Sequence, residues 1–200
     1  MMRLRPASRE ISTSTVPKKQ GVSLLELVVS LAIVLLISGM AMPTITRTLR
    51  SYQLNDAANQ VAGILKFTRF EAIRKNMPIQ CMNSQAGASA PTSIWIEGPA
   101  EKQILLGPSA TLVASGVVPS TGALSTAVGV PNLRAISPGS DAVKFDQRGA
   151  VVSAPPVVYV FYVGNTADSG GFRAVIVLPS GSVQVWTYAG GAGTVWQRIS

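Results

Sequence analysis

The chain has 200 residues, and its 47 % hydrophobic and 13 % charged composition excludes a disordered chain. It contains one cysteine and no histidine, which excludes an intrachain disulfide and removes the commonest general base and metal ligand. Of the net charge of +8, residues 1–21 contribute +4 (five basic, one acidic) and the other 179 residues +4 (12 basic, 8 acidic). With half the charge in a terminal segment, the high pI is a weak indication of nucleic-acid binding.

A long apolar segment follows the basic N-terminus. Residues 22–42 contain a single charged side chain, Glu26. As a helix these residues would span about 31 Å, close to the thickness of a bilayer's hydrocarbon core. Basic residues are concentrated before the segment, so the N-terminus is predicted to stay cytoplasmic and the rest to be exported. Arg47 and Arg50 are then suited to the membrane interface.

Two ordinary interpretations of this segment leave Glu26 unexplained. A secretory signal peptide would have a shorter apolar core, with a small-residue cleavage site such as residues 38–41 on its far side. A signal anchor would account for the length and charge. A carboxylate at mid-bilayer costs roughly 2.5–3.5 kcal/mol, and less near the interface, so an acid here is expected to have a function and a partner.

The residues around the start of this segment resemble the type IV prepilin (class III) signal. The matching run is Lys18-Lys19-Gln20-Gly21-Val22-Ser23-Leu24-Leu25-Glu26-Leu27. The resemblance implies cleavage by a prepilin peptidase between Gly21 and Val22 and N-methylation of the new terminus at Val22. The family more often has Phe or Met at this position, so Val22 is a mild departure.

This resemblance gives Glu26 a partner. After cleavage, Val22 would carry a positive amine at a helix N-terminus within an apolar bundle. The Glu26 carboxylate, on the same or a neighbouring subunit, could neutralise that amine, and the low dielectric would strengthen the pair. Glu26 is therefore predicted to be the filament-docking group.

Helical periodicity is predicted to continue past the membrane, with a kink at Pro43, to about Lys75. Asn76-Met77-Pro78 supplies the stop signal. The predicted apolar face is formed by Ile45, Leu49, Tyr52, Ala57, Val61, Ile64, Thr68 and Ala72, with most basic side chains, including Lys66 and Arg69, lying elsewhere on the helix.

Three later runs are similar to the GspH/FimT family of minor pseudopilins. They are residues 67–81 at the end of the long helix, Trp95 with Gly98, and residues 143–149 (VKFDQRG). Phe70 stands where that family usually has a small polar residue. This resemblance implies a structural filament subunit without enzymatic activity or cofactor.

The rest of the chain reads as short strands and turns. Strands are predicted at residues 78–82, 92–96, 104–106, 111–113, 142–145, 157–163, 172–178 and 182–188. The fold class is therefore α+β, with a long N-terminal helix packed on a C-terminal antiparallel sheet or sandwich. Residues 115–139, rich in small residues, are predicted to be a long loop. The predicted divisions are a leader (1–21), a transmembrane helix (22–42), an exported helix (43–76) and a head (77–200).

The sequence gives little indication of a catalytic site. Cys81 has no histidine to activate it and is predicted to be a buried thiol. Glu97 and Glu101 flank a loop, which indicates solvated acids more than a glycosidase pair. Asp141 and Asp146 near Arg148 indicate a surface ion pair. Residues 190–193 (GGAG) open no helix, so a phosphate loop is not expected. No metal site is predicted.

DNA binding is also not expected. Some FimT-like proteins carry a basic Gly-Arg-x-Arg motif, and the matching Gly181-Ser182-Val183-Gln184 lacks both arginines; Arg173 and Arg198 remain nearby. Affinity for phosphates requires clustered cations. Trp186, Tyr188 and Trp196 could stack on bases, but such strand aromatics are more often core or interface residues.

These features lead to one hypothesis and two alternatives. The hypothesis is a minor pseudopilin of a type II secretion system, anchored in the bacterial inner membrane with a periplasmic head. Its partners would be the prepilin peptidase, other pseudopilins and the inner-membrane assembly platform. The alternatives are a FimT-like minor type IV pilin for pilus assembly or DNA uptake, and a membrane-anchored binding module that does not polymerise.

Overall fold

A computed structural model describes residues 23–84, 92–98, 102–107, 110–165, 171–188 and 195–199. The chain divides into two compact units at the Met42–Pro43 bond. Its longest element is helix α1 (Leu24–Lys75). The predicted end of the helix at Lys75 is confirmed, and its predicted start at Val22 lies outside the described residues.

Helix α1 ends in a Schellman motif. Asn76 takes the left-handed conformation with φ 51°. The Met77 N–H donates to the Ala72 carbonyl (3.2 Å) and the Asn76 N–H to the Ile73 carbonyl (3.2 Å). Asparagine tolerates positive φ, and these two bonds satisfy carbonyls that the helix itself leaves unpaired. The predicted stop signal is confirmed.

The strands form two sheets. The first sheet has the order β3–β2–β1–β6 and is antiparallel throughout. Its strands are β1 (Ile79–Ser84), β2 (Ser93–Ile96), β3 (Gln103–Leu105) and β6 (Ala142–Phe145).

The second sheet has the order β10–β9–β8–β7–β4, and β5 pairs with β7 beside β4. Its strands are β4 (Thr111–Val113), β5 (Leu133–Ala135), β7 (Val158–Gly164), β8 (Phe172–Val177), β9 (Val183–Tyr188) and β10 (Trp196–Arg198). The pairing of β5 with β7 is parallel. The other described strand pairings are antiparallel, which confirms the predicted α+β fold class.

The main core lies between α1 and the two sheets. Helix residues such as Val61, Ile64 and Leu65 are buried there with Cys81, Val143 and Phe145 of the first sheet. The second sheet contributes alternate residues of its central strands: Tyr159, Phe161, Val163, Val175, Val177 and Val185.

A second core lies on the other face of the second sheet. It contains the intervening strand residues Val158, Val160, Tyr162, Ala174 and Ile176, together with aromatic side chains from β9 and β10. Because both faces are covered, all seven residues of β7 are buried. A strand buried on both faces reads as a continuous apolar run.

The prediction that residues 115–139 form a loop is wrong. They contain a 3-10 turn (Ser115–Val117), helix α2 (Thr121–Val128) and strand β5. Leu124 is fully buried in the second core. Helix α2 ends at Gly129, which has φ 74° and whose N–H donates hydrogen bonds to the Ser125 and Thr126 carbonyls. The small residues of this segment fold because the second sheet offers an apolar face to cover.

Candidate functional site

The first turn of α1 carries the acid that the sequence singled out. Glu26 is exposed in this turn, and the Leu27 N–H donates to the Ser23 carbonyl over 3.0 Å. Ser30 Oγ donates to the Glu26 backbone carbonyl over 2.7 Å. The Glu26 carboxylate has no hydrogen-bond or ionic partner among the described residues. An acid in the first turn is favourably placed relative to the helix dipole.

The helix around Glu26 presents a long series of exposed apolar side chains. By length and composition α1 could cross a membrane, and none of its most apolar 18-residue window, of mean hydropathy 2.5, is buried. The exposed side chains include Leu24, Leu27, Leu31, Val34, Leu35 and Ile37. An apolar surface of this extent indicates burial in lipid or against other chains.

The predicted processing site lies outside the described residues. This applies to Lys18, Lys19, Gly21 and Val22, and also to Glu101 and residues 190–193. Of the predicted site residues, the structure places Glu26.

The predicted apolar face of α1 is correct from Ala57 onward and wrong before it. Ala57, Val61, Ile64, Thr68 and Ala72 are buried, but Ile45, Leu49 and Tyr52 are 60 %, 56 % and 68 % exposed. Leu54 is the first helix residue buried in the main core. The three exposed residues precede the part of the helix that the main core covers.

Arg173, one of the two cations near the position of the absent basic motif, ties the second sheet to α1. It is 5 % exposed. Its Nε donates to Asn55 Oδ1 over 2.6 Å, Nη2 to Ser51 Oγ over 3.1 Å, and Nη1 to the Phe172 carbonyl over 3.1 Å. Burial lowers the pKa of Arg173 because a charged group loses hydration. The sequence indicates this position only through a single cation within an otherwise apolar predicted strand, residues 172–178.

Arg69 lies between two glycine turns, contrary to its predicted place away from the apolar face. A Cβ at Gly149 would lie 2.9 Å from Arg69 Nε and 2.7 Å from Ile73 Cδ1. A Cβ at Gly181 would also lie 2.9 Å from Arg69 Nε and would overlap the Gly149 carbonyl oxygen. Both glycines have positive φ, 78° and 76°. The turns after β6 and β8 therefore meet on α1 at Arg69, whose Nε is buried without a hydrogen-bond partner in the described chain.

Two of the candidate catalytic residues, Cys81 and Glu97, lie in the part of the chain described. Cys81 is buried, and burial raises the pKa of its thiol to about 12, while a hydrogen bond with Thr68 acts in the opposite direction. Such a thiol is a poor nucleophile at neutral pH. Glu97 is exposed. The described residues contain no cluster of His, Cys, Asp and Glu that could hold a metal ion.

The predicted ion pair between the two aspartates and Arg148 is wrong. Asp141 pairs instead with Arg134, whose Nη2 lies 3.8 Å from Asp141 Oδ1. Asp146 Oδ1 accepts hydrogen bonds from the backbone N–H groups of Arg148 (2.9 Å) and Ala150 (2.8 Å). An aspartate at a turn often bonds the backbone in this way instead of pairing with a cation.

Two family models match this chain. Residues 57–181 match the model of the type II transport protein GspH, and residues 16–42 match the prokaryotic N-terminal methylation motif. The first match covers most of the head and the helix packed on it. The chain belongs to the GspH family. The family consists of type IV pilin-like minor pseudopilins, and the methylation motif is that of proteins processed by prepilin peptidase.

Two crystal structures of the type IV minor pilin FimU of Pseudomonas aeruginosa are similar to this GspH-family chain. One is 16 % identical with a TM-score of 0.44 and covers 67 % of this chain and 88 % of FimU. The other is 17 % identical with a TM-score of 0.42 and covers 66 % of this chain and 91 % of FimU. No curated protein matches the sequence.

The three aromatic residues considered for base stacking are buried in this GspH-family member. Trp186, Tyr188 and Trp196 are 9 %, 6 % and 2 % exposed. Trp196 packs against Tyr188 and Tyr162 with ring centroids 5.2 and 6.3 Å apart, and its Nε1 donates to the Ser120 carbonyl over 3.1 Å. Burial also raises the pKa of Tyr162 to about 12. These side chains fill the second core.

Proposed function

We propose that this chain is a minor pseudopilin, a non-enzymatic subunit of the periplasmic pseudopilus of a type II secretion system. The match to the model of the type II transport protein GspH favours the secretion system over the pilus. One observation carries assembly into a filament. The apolar start of α1, uncovered in the described chain, holds a single acid in its first turn and lies within the N-terminal methylation motif. A neighbouring subunit can supply both the apolar surface and the cation that this arrangement requires.

The chemistry of docking follows from Glu26. Prepilin peptidase would cut after Gly21, leaving the Val22 amine four residues before Glu26. A carboxylate in an apolar bundle carries a large desolvation penalty unless a cation pairs with it. The Val22 amine of the same or an adjacent subunit would be that cation. The membrane-spanning part would hold the subunit in the inner membrane, on the assembly platform, until it enters the filament.

The first experiment examines processing and incorporation in the bacterial envelope. Mass spectrometry of the mature protein should find a methylated N-terminus at Val22, and Gly21→Ala should accumulate the full-length precursor. Glu26→Ala should be processed but absent from sheared filaments. Ser30→Ala, one turn further along the helix, should be incorporated normally. A mature N-terminus beyond Ala41, or normal incorporation of Glu26→Ala, would contradict the proposal.

The second experiment assigns the machinery. Deleting the gene should stop export of secreted proteins through the outer membrane while surface pili still assemble. Loss of pili or of DNA uptake with intact secretion would instead identify a FimT-like minor type IV pilin. A protein that is processed but never leaves the inner membrane would be an anchored binding module.

A further inference from the structure

The end of α1 carries an exposed patch that no described part of the chain covers. Phe70, Ile73 and Met77 are 61 %, 45 % and 42 % exposed. Cationic side chains lie around them. We call this surface the helix-end patch; it consists of Phe70, Ile73 and Met77 with Lys66, Arg74 and Arg148.

Helix geometry and one turn bring these residues together. Lys66, Phe70 and Ile73 recur at spacings of four and three, which places them on one side of α1. Met77 is held by the Schellman bond to Ala72. The turn that carries Arg148 packs on the same stretch of helix. This is shown by the adjacent Gly149, where a Cβ would lie 2.7 Å from Ile73 Cδ1.

Two of the three cations of the patch have no matching acid among the described residues. Lys66 and Arg148 are exposed and form no ion pair with a described residue. The nearby acids are already engaged. Glu71 lies 2.7 Å from Arg74 and 3.4 Å from Lys75, and Asp146 accepts the backbone N–H groups of its own turn.

We propose that the helix-end patch docks a different pilin-like subunit through a surface that is apolar at its centre and acidic at its rim. An apolar centre with a polar rim is the usual anatomy of a protein interface. Charge complementarity sets the partner. A second copy of this chain fits poorly, because its own patch is also cationic and residues 22–200 carry a net +4. This inference rests on the proposed function, since it assumes assembly with other subunits.

A crosslinking experiment on the full-length protein in bacterial membranes tests the proposal. Each pilin-like subunit encoded beside this gene is co-produced separately with Met77→Cys and treated with a bifunctional thiol reagent. The partner carries a cysteine in an acidic surface region. The native thiol, Cys81, is buried, so the engineered site reacts selectively. We expect a crosslink to one acidic subunit, and its yield should fall as salt concentration rises.

Charge reversal gives the decisive comparison. Lys66→Glu with Arg148→Glu should lower the crosslink yield by about tenfold or more, because like charges across an interface oppose association. Reversing acids on the partner should restore it. The matched control is Lys144→Glu with Arg198→Glu, two exposed cations outside the patch, which should leave the yield unchanged.

Three outcomes would overturn the inference: no crosslink to any subunit, crosslinks only between copies of this chain, or equal yields for patch and control variants. The N-terminus and the incorporation of each variant are measured in the same cells. If the chain is processed at Val22 and incorporated but the patch result is negative, the docking surface is wrong and the proposed function stands. If processing at Val22 fails, the proposed function itself is wrong.

Discussion

Arg173 on β8 and Asn55 on α1 lie 118 positions apart in sequence and are joined by a hydrogen bond of 2.6 Å. Ser51, one helical turn earlier, accepts a second bond from the same guanidinium. The bonds fix the second sheet on the helix at the point where the main core begins. Both partners are neutral, so the charge is stabilised by hydrogen bonds alone among the described residues.

Removing Asn55 should destabilise the head more than removing the charge. Asn55→Ala leaves a buried guanidinium donor unsatisfied and should lower the free energy of unfolding by about 1–3 kcal/mol. Arg173→Met removes the charge and leaves the half-buried Asn55 able to reach water, so its effect should be smaller. Thermal unfolding of the detergent-solubilised protein, followed by near-UV circular dichroism, measures both. Gln60→Ala, which removes an exposed bond to Asp56, should change the stability by less than about 0.5 kcal/mol. A larger loss for Arg173→Met than for Asn55→Ala would contradict this account.

Gly181→Ala should destabilise the junction of the two turns on Arg69. The new Cβ would overlap the Gly149 carbonyl oxygen, and the residue would have to keep φ at 76°. Left-handed strain and overpacking together should cost about 2 kcal/mol or more. The control is Gly122→Ala in α2, where a Cβ meets nothing within 4 Å, and this change should be neutral or stabilising by up to about 1 kcal/mol. Urea unfolding measures both, and equal midpoints for the two variants would show that the turns do not constrain each other.

Glu71→Gln should lower the unfolding temperature at neutral pH, with a difference that disappears in acid. The pKa of Glu71 lies below its ordinary value of 4.5, chiefly because Arg74 donates a hydrogen bond to the carboxylate. A depressed pKa in the folded state means that the ionised carboxylate stabilises the fold above pH 4.5. That contribution is lost as the pH falls from 4.5 through the lower folded pKa. Unfolding temperatures measured from pH 7 to pH 2 should therefore converge. Glu97→Gln, at an exposed acid, is the control; a constant difference at all pH values would mean that the charge of Glu71 is not involved.

Much of the fold could be predicted because its signals are local. Asn76 and Pro78 mark the end of α1, and the eight predicted strands are all present with bounds shifted by up to two residues. Each has β-branched or aromatic residues between turn residues. The acid at Glu26 could also be singled out locally, as one charge within an apolar run.

The features that sequence analysis missed depend on distant contacts. Helix α2 is built from small residues and is stabilised through Leu124, whose burial requires the outer face of the second sheet. Strand β10 has three residues, of which Trp196 alone is buried. The partners of Arg173 and Arg69 lie on elements far away in sequence. Periodicity gives no information about such pairings.

Because both faces of the second sheet are buried, the apolar pattern of its central strands does not determine which face of each strand packs against α1. In β7 and β8 nearly every side chain is apolar, so turning either strand over would exchange one set of apolar side chains for another. Hydrophobicity alone distinguishes poorly between the two orientations. Arg173 resolves the ambiguity, since the inverted β8 would bury a guanidinium among Tyr162, Trp186 and Ile176, away from Ser51 and Asn55. A single charged residue thus determines which face of β8 packs against α1.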